Sequence, residues 1–165
     1  MDIGKLLENV VDEMLEGFQV IGRDWRYLYV NRTVAQQGKS SKDALLGRTM
    51  MECYPGIENT PFFDQLKKCM DERLSIRMEN KFTFPDGSTG WFLLSLHPVE
   101  QGVLILSADI TAKKLSEALL REKIEELERV VVLAPGLETH TVEVRRIVAR
   151  LKDMAPPLSP RAEPY

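Results

Sequence analysis

Cysteine and histidine are scarce: two of each among 165 residues. Cys53 and Cys69 form no C-x-x-C pair, and with only His97 and His140 to add they make no zinc set. So little cysteine fits a reducing compartment and excludes a disulfide scaffold. A surplus of either charge is missing as well. Twenty-two Lys and Arg face 25 Asp and Glu, a net charge of −3, so bulk electrostatics draw the chain neither to nucleic acid nor to an anionic membrane. No apolar run approaches the roughly 20 residues of a membrane span, and Met1-Asp2-Ile3-Gly4-Lys5 does not open as a secretory leader. The expectation is a cytoplasmic protein with no membrane partner. Asn31-Arg32-Thr33 spells a glycosylation sequon, read here as chance. Catalytic signatures are absent too: there is no G-x-S-x-G, H-E-x-x-H or P-loop, and Gly87, Gly90 and Gly102 belong to hairpin turns. Glu122, Glu125, Glu126 and Glu128 read as a solvated helix face. His140, within Leu137–Glu143, lacks the surroundings of a phosphoacceptor histidine. The chain is expected not to be an enzyme.

What is present is ordinary globular material, 44% apolar and 28% charged, in an order that can be read. Ile3, Leu6, Leu7, Val10, Val11, Met14 and Leu15 make one helical stripe, so residues 1–16 read as an N-terminal amphipathic helix closed by Glu16-Gly17. Phe18–Gly22 and Tyr27–Val30 read as a hairpin around Arg23–Arg26. Asn31 can cap a short helix to Gln37, and Ser40 or Ser41 a second over Lys42–Leu46. Residues 48–61 lack periodicity and read as loop or single turns. A helix follows over 61–73, then strands over Ile76–Phe84, Trp91–Leu96 and Val103–Ser107, the last apolar enough for a central strand. Thr111 is placed to cap the next helix, 112–134, whose Leu120, Ile124, Leu127, Val131 and Ala134 recur every 3.5 residues on average, a coiled-coil spacing. Pro135-Gly136 breaks it, a second helix fills 137–154, and the Pro-rich tail 155–165 reads as disordered.

That order of elements, with Glu16-Gly17-Phe18-Gln19-Val20-Ile21, Asp24–Asn31, Leu45-Leu46-Gly47-Arg48-Thr49, Glu52–Gly56, Phe82–Ser88 and Asp109-Ile110-Thr111, resembles a bacterial PAS domain over about residues 14–115. It is most similar to sensory PAS modules upstream of histidine kinases and other outputs. The resemblance implies an α+β fold over residues 17–111, a five-stranded antiparallel sheet with helices on one face, flanked by the N-terminal helix and a C-terminal coiled coil. It implies a pocket between sheet and helices, dimerisation through the flanking helices, and signal relay through Asp109 and Thr111. Leu7, Val11, Leu120, Ile124, Leu127 and Val131 would then form the homodimer interface.

The flavin photosensors of that family carry a cysteine near a Gly-Arg pair like Gly47-Arg48. Here the matching position is Met50, and Met51-Glu52-Cys53-Tyr54 does not restore the motif. Haem sensors place a histidine on the helix before the third strand, and residues 61–73 hold none. No cofactor is therefore evident. Phe18, Val30, Met50, Met51, Phe62, Phe63, Leu66, Phe82 and Leu94 either wall a pocket for a small organic ligand or simply fill the core. Trp25 reads as part of a hairpin turn, and Trp91 as packing on the open face of the sheet. The expected function is a non-catalytic, dimeric sensory module passing a ligand or redox signal to its C-terminal helix. Two alternatives stand beside it. Leu158-Ser159-Pro160-Arg161, after the basic Arg145, Arg146, Arg150 and Lys152, resembles the opening of a LuxR-type domain, so the chain is alternatively the input domain of a truncated transcription regulator that reads no DNA by itself. The third reading is a purely structural dimerisation module.

Overall fold

A computed structural model describes residues 2–133 and 138–154, with side chains over 2–130 and 142–154. The expected break at Pro135-Gly136, the side chains of Val131 and His140, and the tail 155–165 with its Leu158–Arg161 lie outside the described residues. The chain divides after Thr111 into two compact units.

In the first unit, α1 (Ile3–Asp12) is followed by β1 (Gly17–Gly22), β2 (Tyr27–Val30), α2 (Arg32–Gln37), α3 (Lys42–Leu45), α4 (Met50–Cys53), a 3₁₀ turn (Ile57–Asn59), α5 (Pro61–Glu72), β3 (Ile76–Thr83), β4 (Thr89–Val99) and β5 (Gly102–Asp109). The strands form one antiparallel sheet in the order β2-β1-β5-β4-β3. The apolar strand β5 takes the centre, as its composition requires. β4 alternates strictly. Gly90, Phe92, Leu94 and Leu96 are buried on the helix side, while Trp91, Leu93 and Ser95 are half-buried on the other. The core lies between the first face and α2–α5, where Leu66, Cys69, Leu96, Ile105 and Val103 have no solvent exposure.

β4 starts two residues earlier than expected and β5 runs on to Asp109, and three further departures have a clear physical reason. α1 stops at Asp12, short of Leu15, which is 95% exposed. The chain from Val11 to Glu16 turns instead to offer its carbonyls to α2. Asn31 Nδ2 donates to the Val11 and Glu16 carbonyls at 2.9 Å each, and the Thr33 hydroxyl donates to Met14 O at 2.6 Å. β4 runs past Leu96 to Val99. Pro98 is tolerated because β3 has ended at the pair Ile76↔Leu96, and no ladder bond is needed on that side. Thr111 is not a cap but the first residue of α6 (Thr111–Leu133). Its own amide donates to Asp109 Oδ1 at 2.9 Å, and its hydroxyl is engaged with Trp91.

The second unit comprises the rest of α6 and α7 (Glu138–Met154). Ile124 and Val148 are buried, Leu120 and Leu127 half-buried, and Leu115, Leu119 and Val130 exposed. Lys152 of α7 forms an ion pair with Glu128 of α6. Among the described residues no helix is long and apolar enough to cross a membrane.

Candidate functional site

The turn between β1 and β2 fixes one corner of the site. Trp25 adopts φ +66, a costly conformation for a bulky residue, and is held there by packing against Phe63 with centroids 4.8 Å apart. Its carbonyl accepts the Met50 amide at 2.9 Å. A capping box completes the start of α4: Thr49 accepts from the Glu52 amide, and the Glu52 carboxylate accepts from the Thr49 amide at 2.7 Å. These short-range bonds aim Met50, 1% exposed, inward. At the far end of α4 the Tyr54 hydroxyl donates to Gly38 O at 2.9 Å, an approach that any side chain at Gly38 would block.

Between these helices and the sheet lies a cavity of about 90 Å³. Its apolar wall comes from Met50, Ile57 and Phe62 on one side and Phe82, Phe84, Phe92 and Leu94 on the other. Tyr54, Phe82, Phe84 and Phe92 continue edge to face, with centroids 5.3, 5.1 and 6.4 Å apart. Polar groups interrupt this wall: Gln19, Tyr27, Gln37, Asn80 and Ser107. Gln37 and Ser107 satisfy one another, the Ser107 hydroxyl donating to Gln37 Oε1 at 2.5 Å and Gln37 Nε2 to Ser107 O at 3.1 Å. Gly17 makes that pairing available, since a Cβ there would collide with both side chains. Among the described residues, none that lines the cavity is charged. Burial raises the Tyr27 and Tyr54 hydroxyls, so both stay phenols. Burial also pushes the Cys53 and Cys69 thiols up, away from the thiolate that redox chemistry needs.

Of the nine pocket residues expected from the sequence, Met50, Phe62, Phe82 and Leu94 line the cavity. The other five do not. Phe18 is adjacent to Gln19 in β1, so strand alternation turns it to the opposite face, where it meets Tyr29 edge-on at 5.8 Å. Phe63 follows Phe62 on a helix and is therefore swung away to Trp25, while Met51 bears a similar relation to Met50 and is only half-buried. Val30 and Leu66 are core residues without exposure. Gln19, Asn80 and Ser107 were missed, yet the sequence signals them. Each is a polar residue in the buried phase of its strand, in step with Ile21, Phe82 and Ile105 respectively.

Beyond Gly38 and Phe84 a charged bridge borders the cavity. Lys39, at φ +52 beyond α2, reaches the β3–β4 turn: its Nζ lies 2.7 Å from Asp86 Oδ2, 2.5 Å from Ser88 Oγ and 4.7 Å from the centroid of Phe84. At the exit from the sheet, the Trp91 amide donates to Thr111 Oγ1 at 2.9 Å and the Ile110 amide to Trp91 O at 2.9 Å. Of the expected interface residues, Leu7 is exposed, Val11, Leu120 and Leu127 are half-buried, and Ile124 is buried within the chain.

A family profile described as PAS fold matches residues 11–115. A PAS domain from Colwellia psychrerythraea is 17% identical at a TM-score of 0.56, covering 67% of this chain and 99% of that one. The Rhodobacter sphaeroides LOV protein is 14% identical at 0.54, covering 93% and 97%. The Vibrio cholerae VqmA dimer, described among LuxR-type receptors, is 15% identical at 0.57, covering 68% of this chain and 53% of that one. At such identities the likeness shows the fold. No curated protein matches the chain.

Proposed function

This chain belongs to the PAS-fold family, and from that footing we propose that it is a non-catalytic sensory module working as a cytoplasmic homodimer. A small molecule in the cavity between the sheet and α2–α5 shifts β4, and Asp109 and Thr111 hand that shift to α6. One observation carries the reading. Phe92 lines the cavity while its neighbour Trp91 is hydrogen-bonded through its backbone to the first residue of α6. Adjacent residues of one strand thus serve the pocket and the output helix, with no flexible loop between. The raised thiols favour ligand occupancy over redox state as the signal.

The dimer is proposed to form through α1 and α6. Ile3, Leu6, Leu7 and Val10 are 47–69% exposed along one face of α1, a stripe that a second copy would cover. A Leu7→Asp, Leu127→Asp chain should sediment as a monomer with the circular dichroism of the folded protein, and a persistent dimer would reject this interface. Sensing is tested by native mass spectrometry of the purified chain, where a bound small molecule is expected. Hydrogen exchange is then compared before and after its removal, and unchanged exchange over residues 111–120 would reject the relay. A second reading, the input domain of a LuxR-type regulator, draws on the likeness to VqmA. It assigns the cavity the same task and differs only in the output.

A further inference from the structure

Three polar side chains in the cavity wall have unused hydrogen-bonding capacity. The Gln19 and Asn80 amides and the Tyr27 hydroxyl make no hydrogen bond to any described residue, whereas Gln37, Ser107 and Tyr54 in the same wall are all engaged. Tyr27 is 3% exposed, and polar groups so deeply buried are ordinarily paired. The contrast with Tyr29 is informative. Its hydroxyl is sealed and unpartnered, but it lies outside the cavity, whereas Tyr27 belongs to the lining. The three groups come from three strands, β1, β2 and β3, so no single local irregularity accounts for them.

The rest of the wall narrows the choice of partner. With no charged lining residue, a carboxylate, phosphate or ammonium group would be desolvated without a counter-charge, which is strongly unfavourable. Four Phe rings, at 62, 82, 84 and 92, favour a flat apolar body. The volume, about 90 Å³, is far below the roughly 300 Å³ at which pockets for drug-sized molecules begin and nearer the roughly 150 Å³ cavities that take up benzene. Tyr54, Asn80 and Phe82 also line an outer groove between the 3₁₀ turn and β3, directly beside the cavity.

We infer that the cavity selects a small, uncharged, planar ring compound that both donates and accepts hydrogen bonds, held by Tyr27, Gln19 and Asn80. The inference rests on the sensory reading above and adds the ligand class to it.

The test uses the full chain and three probes of similar size: 2-pyridone, benzene and benzoate, titrated calorimetrically. 2-Pyridone is expected to bind about tenfold more tightly than benzene, the worth of one or two net hydrogen bonds, and benzoate not to bind. Tyr27→Phe and Asn80→Leu should each remove most of that preference, with circular dichroism and thermal melts reporting that the variants are folded. Benzene binding as well as 2-pyridone, or benzoate competing with it, would overturn the ligand class and leave the sensory reading intact. So would a purified chain that binds none of the three but carries a larger or charged molecule in native mass spectrometry. A chain that binds none and carries none would overturn both.

Discussion

The Thr111 hydroxyl accepts a hydrogen bond from the Trp91 amide at 2.9 Å, so the first residue of α6 is fastened to the strand next to the one it leaves. The Ile110 amide adds a second bond, to the Trp91 carbonyl. β4 is thereby both a cavity wall and the support of the helix start.

Thr111→Val keeps the branched shape and removes the hydroxyl. It should lower stability by about 1 kcal/mol, the usual net worth of such a bond. Amides over the first two turns of α6 should exchange faster, and Thr111→Ser should restore them. Equal exchange in all three proteins would remove Thr111 from the junction.

Asn31 should be the most sensitive polar position. It is fully buried, its Oδ1 accepts from the Phe18 and Val34 amides at 3.0 Å each, and its Nδ2 serves two carbonyls of the α1–β1 link. Asn31→Ala strands four backbone groups and should cost about 3 kcal/mol or more, read as a lower denaturant midpoint. Asn31→Asp, which keeps the acceptors, should fall between the two. A midpoint within error of the original would show that water replaces the side chain.

Gly17→Ala should be destabilising by about 1–3 kcal/mol because the added methyl meets Ser107 Oγ and Gln37 Oε1. Combining it with Ser107→Gly should recover part of the loss. Strict additivity of the two changes in thermal melts would argue that the collision is relieved elsewhere.

Acid should act through two surface carboxylates. The Lys42 ammonium, then the Arg32 amide, hold Asp12 below its ordinary 3.8, against the opposing effect of burial. Lys39 and Ser88 hold Asp86 lower still. Both groups bind a proton less readily folded than unfolded. Their stabilisation is therefore complete above about pH 5 and is lost as pH falls through 3.8 toward the lower folded values. Asp12→Asn should flatten the acid limb of a stability–pH curve and, because the same contact raises Lys42, the alkaline limb as well, leaving the slope between about pH 6 and 8 unchanged. An acid limb of the same slope would assign it to other groups.

Most of the fold was legible because its signals are local. Alternation marked the strands, and Asn31, Ser41, Thr49 and Thr60 mark helix starts by accepting the amide three residues on. The end of α1 was not, because Val11 to Glu16 obey Asn31 and Thr33, some 20 residues away, instead of their own apolar stripe. The site was half legible. Hydrophobicity picked out Met50, Phe62, Phe82 and Leu94 but could not separate cavity wall from core at Leu66 or Val30. Composition alone hid Gln19, Asn80 and Ser107, which only the phase of their strands reveals. Thr111 was assigned a helix amide when its partner is a strand, since capping preference is local and Trp91 is 20 residues earlier in the chain.

Lys39 bridges α2 and the β3–β4 turn above Phe84, yet its side chain is 48% exposed and that of Asp86 56%. Such a bridge weakens as dissolved ions accumulate, the Debye length falling from about 10 Å at 0.1 M to about 3 Å at 1 M. Ionic strength is thus a variable that acts on this corner of the fold. The cavity itself holds no charge to screen, but the bridge beside it does, so salt will loosen the corner where α2 meets the β3–β4 turn before it touches the aromatic wall.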